Sequence, residues 1–598
     1  MKKLISCALA LMLAFGAGGA ALQGQQITIS DISATAAAPK VDTESVSLYG
    51  VSGWAEGYLE VPAERASHQI KIGGASNVTY SLYSGNSVKV DSTGLVEVNY
   101  KTTYWYSTGG KYMYGYSSPQ EDKGEFIKTT KDLATGTSKV KVTADGTVLY
   151  VTVTVSDYSP VYAEEQLDKY ISEHVTASMT DKEKITEAAK MAAGYDYSVS
   201  SSNATKMIVT GGGDCWASTD LIIRFCKKLG LDAWSRNGNR DFGAGSGHMN
   251  AMVQASDGSL FEVEAGYSGK APRMYSVRER STLFSYRTNS TYGGVEVYQY
   301  DGKTIPETLV IPDELGGKPV VSVGNLFISS TTGVKKVVIP SGVKSIGKSA
   351  FNSCTNLEEI NLPASLESIG DMAFIKCSSL KTITAEKGCG FTVENGAVFN
   401  KEKTVLYSVP NAEEADIPET VSEIRPYAFY YNDNIKKIIL PDSVKTVGEG
   451  AFAYCGKLEW LRLGDNTETL ADGIVTMDRS LKELLIPKSV KELPDSLLYN
   501  AASGITVYSA APDRVSELLE KGSVTNGSSK SLDERVKGDA DRDGELSVSD
   551  VLIAQQSLAG WDVDISFIGA DVNGDGDISV ADALLMQQKL AQWDVIFK

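Results

Sequence analysis

Histidine is scarce in this chain, with three copies in 598 residues. Acid–base chemistry that relies on an imidazole near neutral pH must therefore use His68, His174 or His248. Cysteine is almost as sparse: seven widely spaced copies do not have the density of a disulfide-stapled scaffold. Positive charge is short too. With 57 Lys and Arg against 75 Asp and Glu, the formal charge of −18 excludes a nucleic-acid binder as a first reading. After Ala17 no apolar run is long enough to cross a bilayer.

The chain does hold enough residues for several cores, and three to five domains is the expectation from length. It opens Met1-Lys2-Lys3 and runs apolar from Leu4 to Ala17, a basic start before a segment too short to span. Residues 1–36 are expected to be a signal peptide and N-terminal segment, cut after Ala20 or near Ala34-Thr35-Ala36, so the product is secreted. Cys7 falls within that segment, which leaves six cysteines.

Chemistry concentrates at Gly211-Gly212-Gly213-Asp214-Cys215-Trp216, which runs into the apolar periodicity Leu221, Ile222, Phe225, Leu229. This is a glycine turn opening a helix, with Cys215 in the first turn. There the helix dipole favours a thiolate and makes the sulfur a better nucleophile. Trp216 is expected to pack beside it. His68 and His174 lie in segments with no other chemical signal. His248 follows the turn Gly243-Ala244-Gly245-Ser246-Gly247 and opens the strand-like run Met249 to Gln254. A turn at Ser256-Asp257-Gly258 leads to a second alternating run, Leu260 to Glu264, so the two runs predict a hairpin. Glu262 and Glu264 share a strand face, and either is placed to meet the imidazole.

In this order and spacing the residues resemble the core of the transglutaminase-like superfamily of cysteine enzymes. His248 stands 33 residues after Cys215, and Glu264 stands 16 after that. The spacing is unlike that of papain itself, whose His lies far downstream. The family usually has Asp where this chain has Glu264, and an aromatic where Met249-Asn250 follow the His. The resemblance implies an α+β domain of the papain-like superfamily over residues 158–290, acting on an amide bond of a protein or peptide substrate. In it Cys215 would be the nucleophile, His248 the proton shuttle and Glu264, or less readily Glu262, the group that orients the imidazole. Two helices precede the nucleophile, Pro160 to Val175 and Asp181 to Ala193, the second opened by a Thr180/Glu183 capping box.

Residues 45–157 read as strand and turn. Alternating β-branched runs such as Val88 to Val98, Lys139 to Thr143 and Val148 to Val155 predict a small β-sandwich. The segment resembles a bacterial immunoglobulin-like domain. An aromatic patch, Tyr100, Tyr104, Trp105, Tyr106, Tyr112, Tyr114 and Tyr116, suits either stacking on sugar rings or, more commonly, cross-strand pairing.

Residues 291–509 repeat. Pro340 and Pro363 are 23 apart, as are Pro418 and Pro441; Ala350-Phe351, Ala373-Phe374, Ala428-Phe429 and Ala451-Phe452 keep the phase. A period in the twenties with fixed apolar slots means a solenoid. The pattern Ile-Pro-x-x-Val-x-x-Ile-Gly-x-x-Ala-Phe resembles the BspA-type leucine-rich repeats of bacterial surface proteins. Cys354, Cys377 and Cys455 share one slot with Asn432, which reads as a ladder of buried thiols and amides; Cys389 belongs to an insertion. A cell-surface or carbohydrate ligand is a candidate partner of these repeats.

Residues 510–537 read as a short helix and a flexible linker through Gly522 to Lys530. Beyond it lie twelve acids against three bases between Gly538 and Lys598, half of the whole charge deficit. They recur with a spacing of 32: Asp539, Asp541, Asp543, Glu545 and Asp550, then Asp571, Asn573, Asp575, Asp577 and Asp582. Oxygen ligands at positions 1, 3, 5, 7 and 12 with glycine at 6 make an EF-hand loop for calcium. Asp in place of Glu at position 12, with a helix after each loop and none before it, resembles the type I dockerin, here spanning 538–598. That resemblance implies a small all-α module with two calcium ions and a cohesin of a scaffold protein as partner. The positions that would meet it are Val548, Ser549, Gln555 and Gln556, and their duplicates Val580, Ala581, Gln587 and Gln588. The sequence thus predicts a secreted, scaffold-docked cysteine enzyme; the alternative is a non-enzymatic adhesion or binding protein displayed by the same dockerin.

Overall fold

The computed structural model describes residues 38–51, 55, 58–107, 113–119, 125–199, 201–238, 248–267, 274–532 and 537–597. The leader 1–36, Tyr112 and the glycine turn 243–247 lie outside these residues. Two units divide the chain: the first comprises residues up to Ala177 with Ala193–Leu221 and Gly266–Arg273, the second Ser178–Ala192, Ile222–Ala265 and Met274–Lys598.

In the first unit, strand Gly136–Ala144 pairs antiparallel with Thr147–Asp157 and with Val78–Ser84, and Ser45–Gly50 adds in parallel to the outer side of Thr147–Asp157. Every second residue points inward, so Val140, Val142, Val151, Val153 and Val155 meet Ile70, Val88 and Val96 in one core. Val88 and Val96 come from a separate three-stranded sheet, Ser67–Gln69, Leu95–Val98 and Val88–Val90. The aromatic patch lies on a further antiparallel sheet whose register sets Tyr104 opposite Tyr116 and Tyr106 opposite Tyr114. Helix Ser159–His174 follows, with Pro160 in its first turn where a missing N–H costs nothing.

The second unit holds the helix Asp181–Ala193, which is opened as the sequence predicts: the Glu183 amide donates to Oγ1 of Thr180, and the Thr180 amide donates to the Glu183 carboxylate at 2.8 Å. A four-stranded sheet runs in the order Asp232–Asn237, Met249–Gln254, Leu260–Tyr267, Met274–Arg280. Its central pair is the expected hairpin, with Met252 opposite Glu262.

The solenoid begins earlier than the boundary at 290 allowed. Strand Phe284–Asn289 pairs antiparallel with Gly294–Tyr300, which pairs in parallel with Lys318–Val323, so a hairpin closes the first edge of the repeat sheet. From there parallel strands follow one another in a register of 23: Lys336 to Glu359 to Thr382, and later Lys437 to Trp460 to Glu483 to Thr506. Phe351, Phe374, Phe429 and Phe452 are fully buried between turns. Each turn is tightened at two phases by left-handed backbone, 326, 349 and 372 with 427, 450 and 473, and 330, 353 and 376 with 431, 454, 477 and 500. The insertion between Pro363 and Pro418 is an antiparallel hairpin, Phe391–Glu394 with Ala397–Asn400, which explains the break in phase. The thiols of Cys377 and Cys455 lie 3.1 and 3.2 Å from carbonyls of the preceding turn, and Nδ2 of Asn432 donates to the Val409 carbonyl at 3.1 Å. Asp478 occupies the next rung of that ladder, fully buried, accepting the Cys455 amide at 2.7 Å.

The expected short helix is Pro512–Lys521, which buries Val515, Leu518 and Leu519. The flexible linker expected after it is a correction: Ser528–Ser531 is a strand paired in parallel with Thr506–Ser509. Polar residues sit there because the strand lies at the sheet's edge, where unpaired backbone groups face water.

Candidate functional site

Cys215 is the first residue of helix Cys215–Lys228. The turn before it is built by glycine: Gly211 adopts a φ of 81° at the end of helix Ala204–Thr210, and a Cβ on Gly213 would stand 2.7 Å from Ala217 and Met207. Asp214 caps the helix, its Oδ1 accepting the Ala217 amide at 2.9 Å and its Oδ2 the Ser202 hydroxyl at 2.9 Å. The cysteine is partly exposed, in contrast to Cys226, where burial pushes the thiol up to about 12. Trp216 is a correction: it is 48% exposed rather than packed away.

The structure brings His248 and Glu264 together in the second unit. Nε2 of the imidazole lies 2.6 Å from Oε2 of the carboxylate, and both side chains are buried. Glu262 on the same strand face goes elsewhere. Its carboxylate takes Arg280 at 2.5 Å and stands 3.9 Å from Arg236, joining a buried group in which Asp301 accepts from Arg236, Arg280 and Ser285. Of the two acids the sequence left open, only Glu264 reaches the imidazole.

At the C-terminal end, helices Val548–Leu558 and Val580–Leu590 each follow a loop, and a short helix, Phe567–Ala570, precedes the second loop where none was expected. Position 12 of each loop closes it. Asp550 accepts the amides of Ala540, Asp541 and Ser547, and Asp582 those of Val572, Asn573 and Ser579, so each carboxylate also completes a capping box. Gly544 and Gly576 at position 6 have φ of 95° and 90°, a turn that side chains resist.

The residues present suit a hard divalent cation. Carboxylate oxygens of Asp539, Asp541 and Asp543 lie within 4.8 Å of one another, and the buried Oδ1 of Asp539 has no hydrogen-bond partner. Burial, then the neighbouring charges of Asp550, Asp543 and Asp541, holds the Asp539 carboxyl above its usual range; burial and Asp582 do the same to Asp571. A bound cation would relieve both. The carboxylate of Asp577 pairs with Lys437, so position 7 has only its backbone carbonyl to offer, as in EF-hand loops.

On the helices, Val548 and Val580 are 76% and 73% exposed, and Ser549, Gln555, Ala581 and Gln587 are exposed, with Gln556 and Gln588 half-buried. Sequence reasoning missed Leu552 and Leu584, 53% and 50% exposed. Their spacing of 32 was the available signal: an apolar residue repeated at an outward phase of both helices.

Comparison with known proteins agrees with the last two parts of the chain. Residues 322–401 and 402–510 match the BspA type leucine rich repeat region in six copies, and residues 537–591 match the dockerin type I domain. The chain therefore carries BspA-type leucine-rich repeats and a type I dockerin, a module class that binds calcium and whose partner is a cohesin. Among solved structures, a leucine-rich repeat protein from Eubacterium ventriosum ATCC 27560 is 19% identical, with 51% of this chain and 86% of that chain covered at a TM-score of 0.30. One from Bacteroides capillosus ATCC 29799 is 26% identical over 20% and 97% of the two chains, with a TM-score of 0.19. A leucine rich cell surface protein from Faecalibacterium prausnitzii A2-165 is 17% identical over 38% and 93%, with a TM-score of 0.24. No curated protein matches the chain. Among the described residues no helix is long and apolar enough to cross a membrane.

Proposed function

We propose that this chain is an extracellular binding protein displayed on a scaffold, in which the solenoid presents a recognition surface and the dockerin, loaded with two calcium ions, docks to a cohesin. The observation that carries this reading is the duplicated outward face of the dockerin, Val548 and Leu552 on one helix, Val580 and Leu584 on the other, beside two loops of the same spacing, in the first of which Asp539, Asp541 and Asp543 converge. The region 45–157 is read as an immunoglobulin-like spacer, supported by the valine-rich core that its four-stranded sheet shares with the three-stranded sheet of Ser67–Gln69, Leu95–Val98 and Val88–Val90. The test is capture of the full chain by immobilised cohesins in calcium and in EDTA. Capture that is indifferent to EDTA, or absent with every cohesin type, would refute docking.

A second reading adds catalysis, and the His248–Glu264 pair favours it. A buried carboxylate on an imidazole fixes one tautomer and stabilises the protonated ring, which is what a cysteine nucleophile requires of its base. In that reading Cys215 attacks an amide carbonyl of a protein or peptide, His248 passes the proton to the leaving amine, and water or a second amine resolves the acyl-enzyme. Loss of amide hydrolysis and of amine incorporation in Cys215→Ala, with the melting curve unchanged, is the expected result. Retained activity would remove Cys215 from the mechanism.

A further inference from the structure

The outward column Lys437, Trp460, Glu483, Thr506 crosses four successive strands of the solenoid one residue per turn. In the earlier turns the corresponding column is Lys336, Glu359, Thr382, where Lys336 and Glu359 pair with each other at 2.7 Å. The later column instead faces the dockerin. Glu483 is fully buried, taking Nε of Arg542 at 3.0 Å on one oxygen and the Ile568 amide at 3.1 Å on the other. The Trp460 ring lies 5.6 Å from Phe567, and the Lys437 ammonium reaches Asp577 and the Gly576 carbonyl. One column further, Leu485 and Tyr508 bury Ile568, and a Cβ on Gly576 would stand 2.9 Å from Ile439.

Three of these groups are not on the dockerin's helices but inside its cation loops. Arg542 is position 4 of the first loop, held at φ 67° between Asp541 and Asp543; Gly576 and Asp577 are positions 6 and 7 of the second. Their placement against the solenoid requires the folded form of both loops, and clustered carboxylates without a cation repel that form apart.

We propose that the face of the solenoid around Glu483 is the seat of the chain's own dockerin, and that seating is thermodynamically coupled to cation loading of the two loops. Each event then strengthens the other by the same factor. The outward face for cohesin stays uncovered in the seated state, since Val548, Leu552, Val580 and Leu584 remain half or more exposed. Loading thus turns a tethered module into one with a fixed direction, and its release loosens it. This rests on the dockerin reading.

The test is calcium titration of the full chain by calorimetry, with hydrogen exchange of segment Phe567–Ala570 followed in parallel. Glu483→Ala should weaken calcium binding on the order of tenfold, a usual size for coupling between sites, and should speed exchange of that segment in saturating calcium. Glu359→Ala, the same phase in the earlier column, should change neither. Lys437→Ala, on the partly exposed end of the seat, gives an independent arm if Glu483→Ala fails to fold, and should act in the same direction. Unchanged affinity and unchanged exchange in a folded seat variant would overturn the coupling while leaving the dockerin reading intact. Failure of the parent chain to bind calcium would overturn both.

Discussion

Nε2 of His248 and Oε2 of Glu264 stand 2.6 Å apart with both side chains buried, while Glu262, two residues before Glu264, spends its charge on Arg280. The two acids therefore separate in experiment. On the catalytic reading, Glu264→Gln lowers turnover by roughly 10²- to 10⁴-fold with little change in folding. Glu262→Gln leaves Arg280 and Arg236 short of a counter-charge and destabilises by about 3 kcal/mol, with turnover retained at temperatures where the protein is folded. Amide hydrolysis and thermal melting of the pair check this, and the reverse pattern would exchange their roles.

Thiol reactivity should single out one residue. Cys215 is partly exposed, while Cys226, Cys354, Cys377, Cys389 and Cys455 are buried, and burial pushes Cys226 and Cys354 up to about 12. A thiol with that pKa is thiolate to roughly one part in 10⁴ to 10⁵ at pH 7.5. Brief iodoacetamide treatment followed by peptide mass spectrometry should find Cys215 modified before the other five. Labelling of Cys226 at an equal rate would contradict the burial described.

Asp478 gives a pH signature. Burial raises its carboxyl well above the usual range, and Oδ2 has no hydrogen-bond partner. The folded chain holds a proton there that the unfolded chain gives up near pH 4, so this residue's contribution to stability falls as pH rises above that point. Asn432 fills the same repeat position two turns earlier with a neutral amide. Asp478→Asn should raise stability by about 1 kcal/mol at pH 8 and by much less at pH 4. Denaturant melts at the two pH values decide it.

The dockerin faces are duplicated, so single-half changes should be weak. Gln555→Ala with Gln556→Ala should reduce cohesin affinity only a few-fold if the second helix can take the contact, and adding Gln587→Ala and Gln588→Ala should remove it. Each lost polar contact at an interface centre is worth about 1–2 kcal/mol. Calorimetry on the half and full variants reads the difference, and complete loss from one half would show that a single orientation binds.

The periodic parts of the molecule were legible because periodicity is a local property. A spacing of 23 with Ala-Phe in phase became parallel strands in a register of 23, and a spacing of 32 became two loop–helix units. The hairpin carrying Glu264 was legible for the same reason, through alternation over a few residues. What escaped was set by contacts between distant segments. Ser528–Ser531 reads as linker because a strand at a sheet's edge needs no apolar residues, and Phe284–Asn289 reads as part of the preceding domain because only its partner strand reveals the sheet it closes. Asp478 was in phase with the cysteine ladder but differed in chemistry, and Glu483 gives no sign in sequence that Arg542, 59 residues on, would cover it.

The added strand Ser528–Ser531 also decides where the solenoid can be cut. A chain ended at Ser509, where the last repeat stops, would leave Thr506–Ser509 as a bare edge carrying buried Val507 and Tyr508, and would strip the helix Pro512–Lys521 from the core. Such an edge is a template for pairing with another copy. A fragment carried through Ser531 keeps its own seal of serine and lysine, and is the piece to express when the repeats are sought alone.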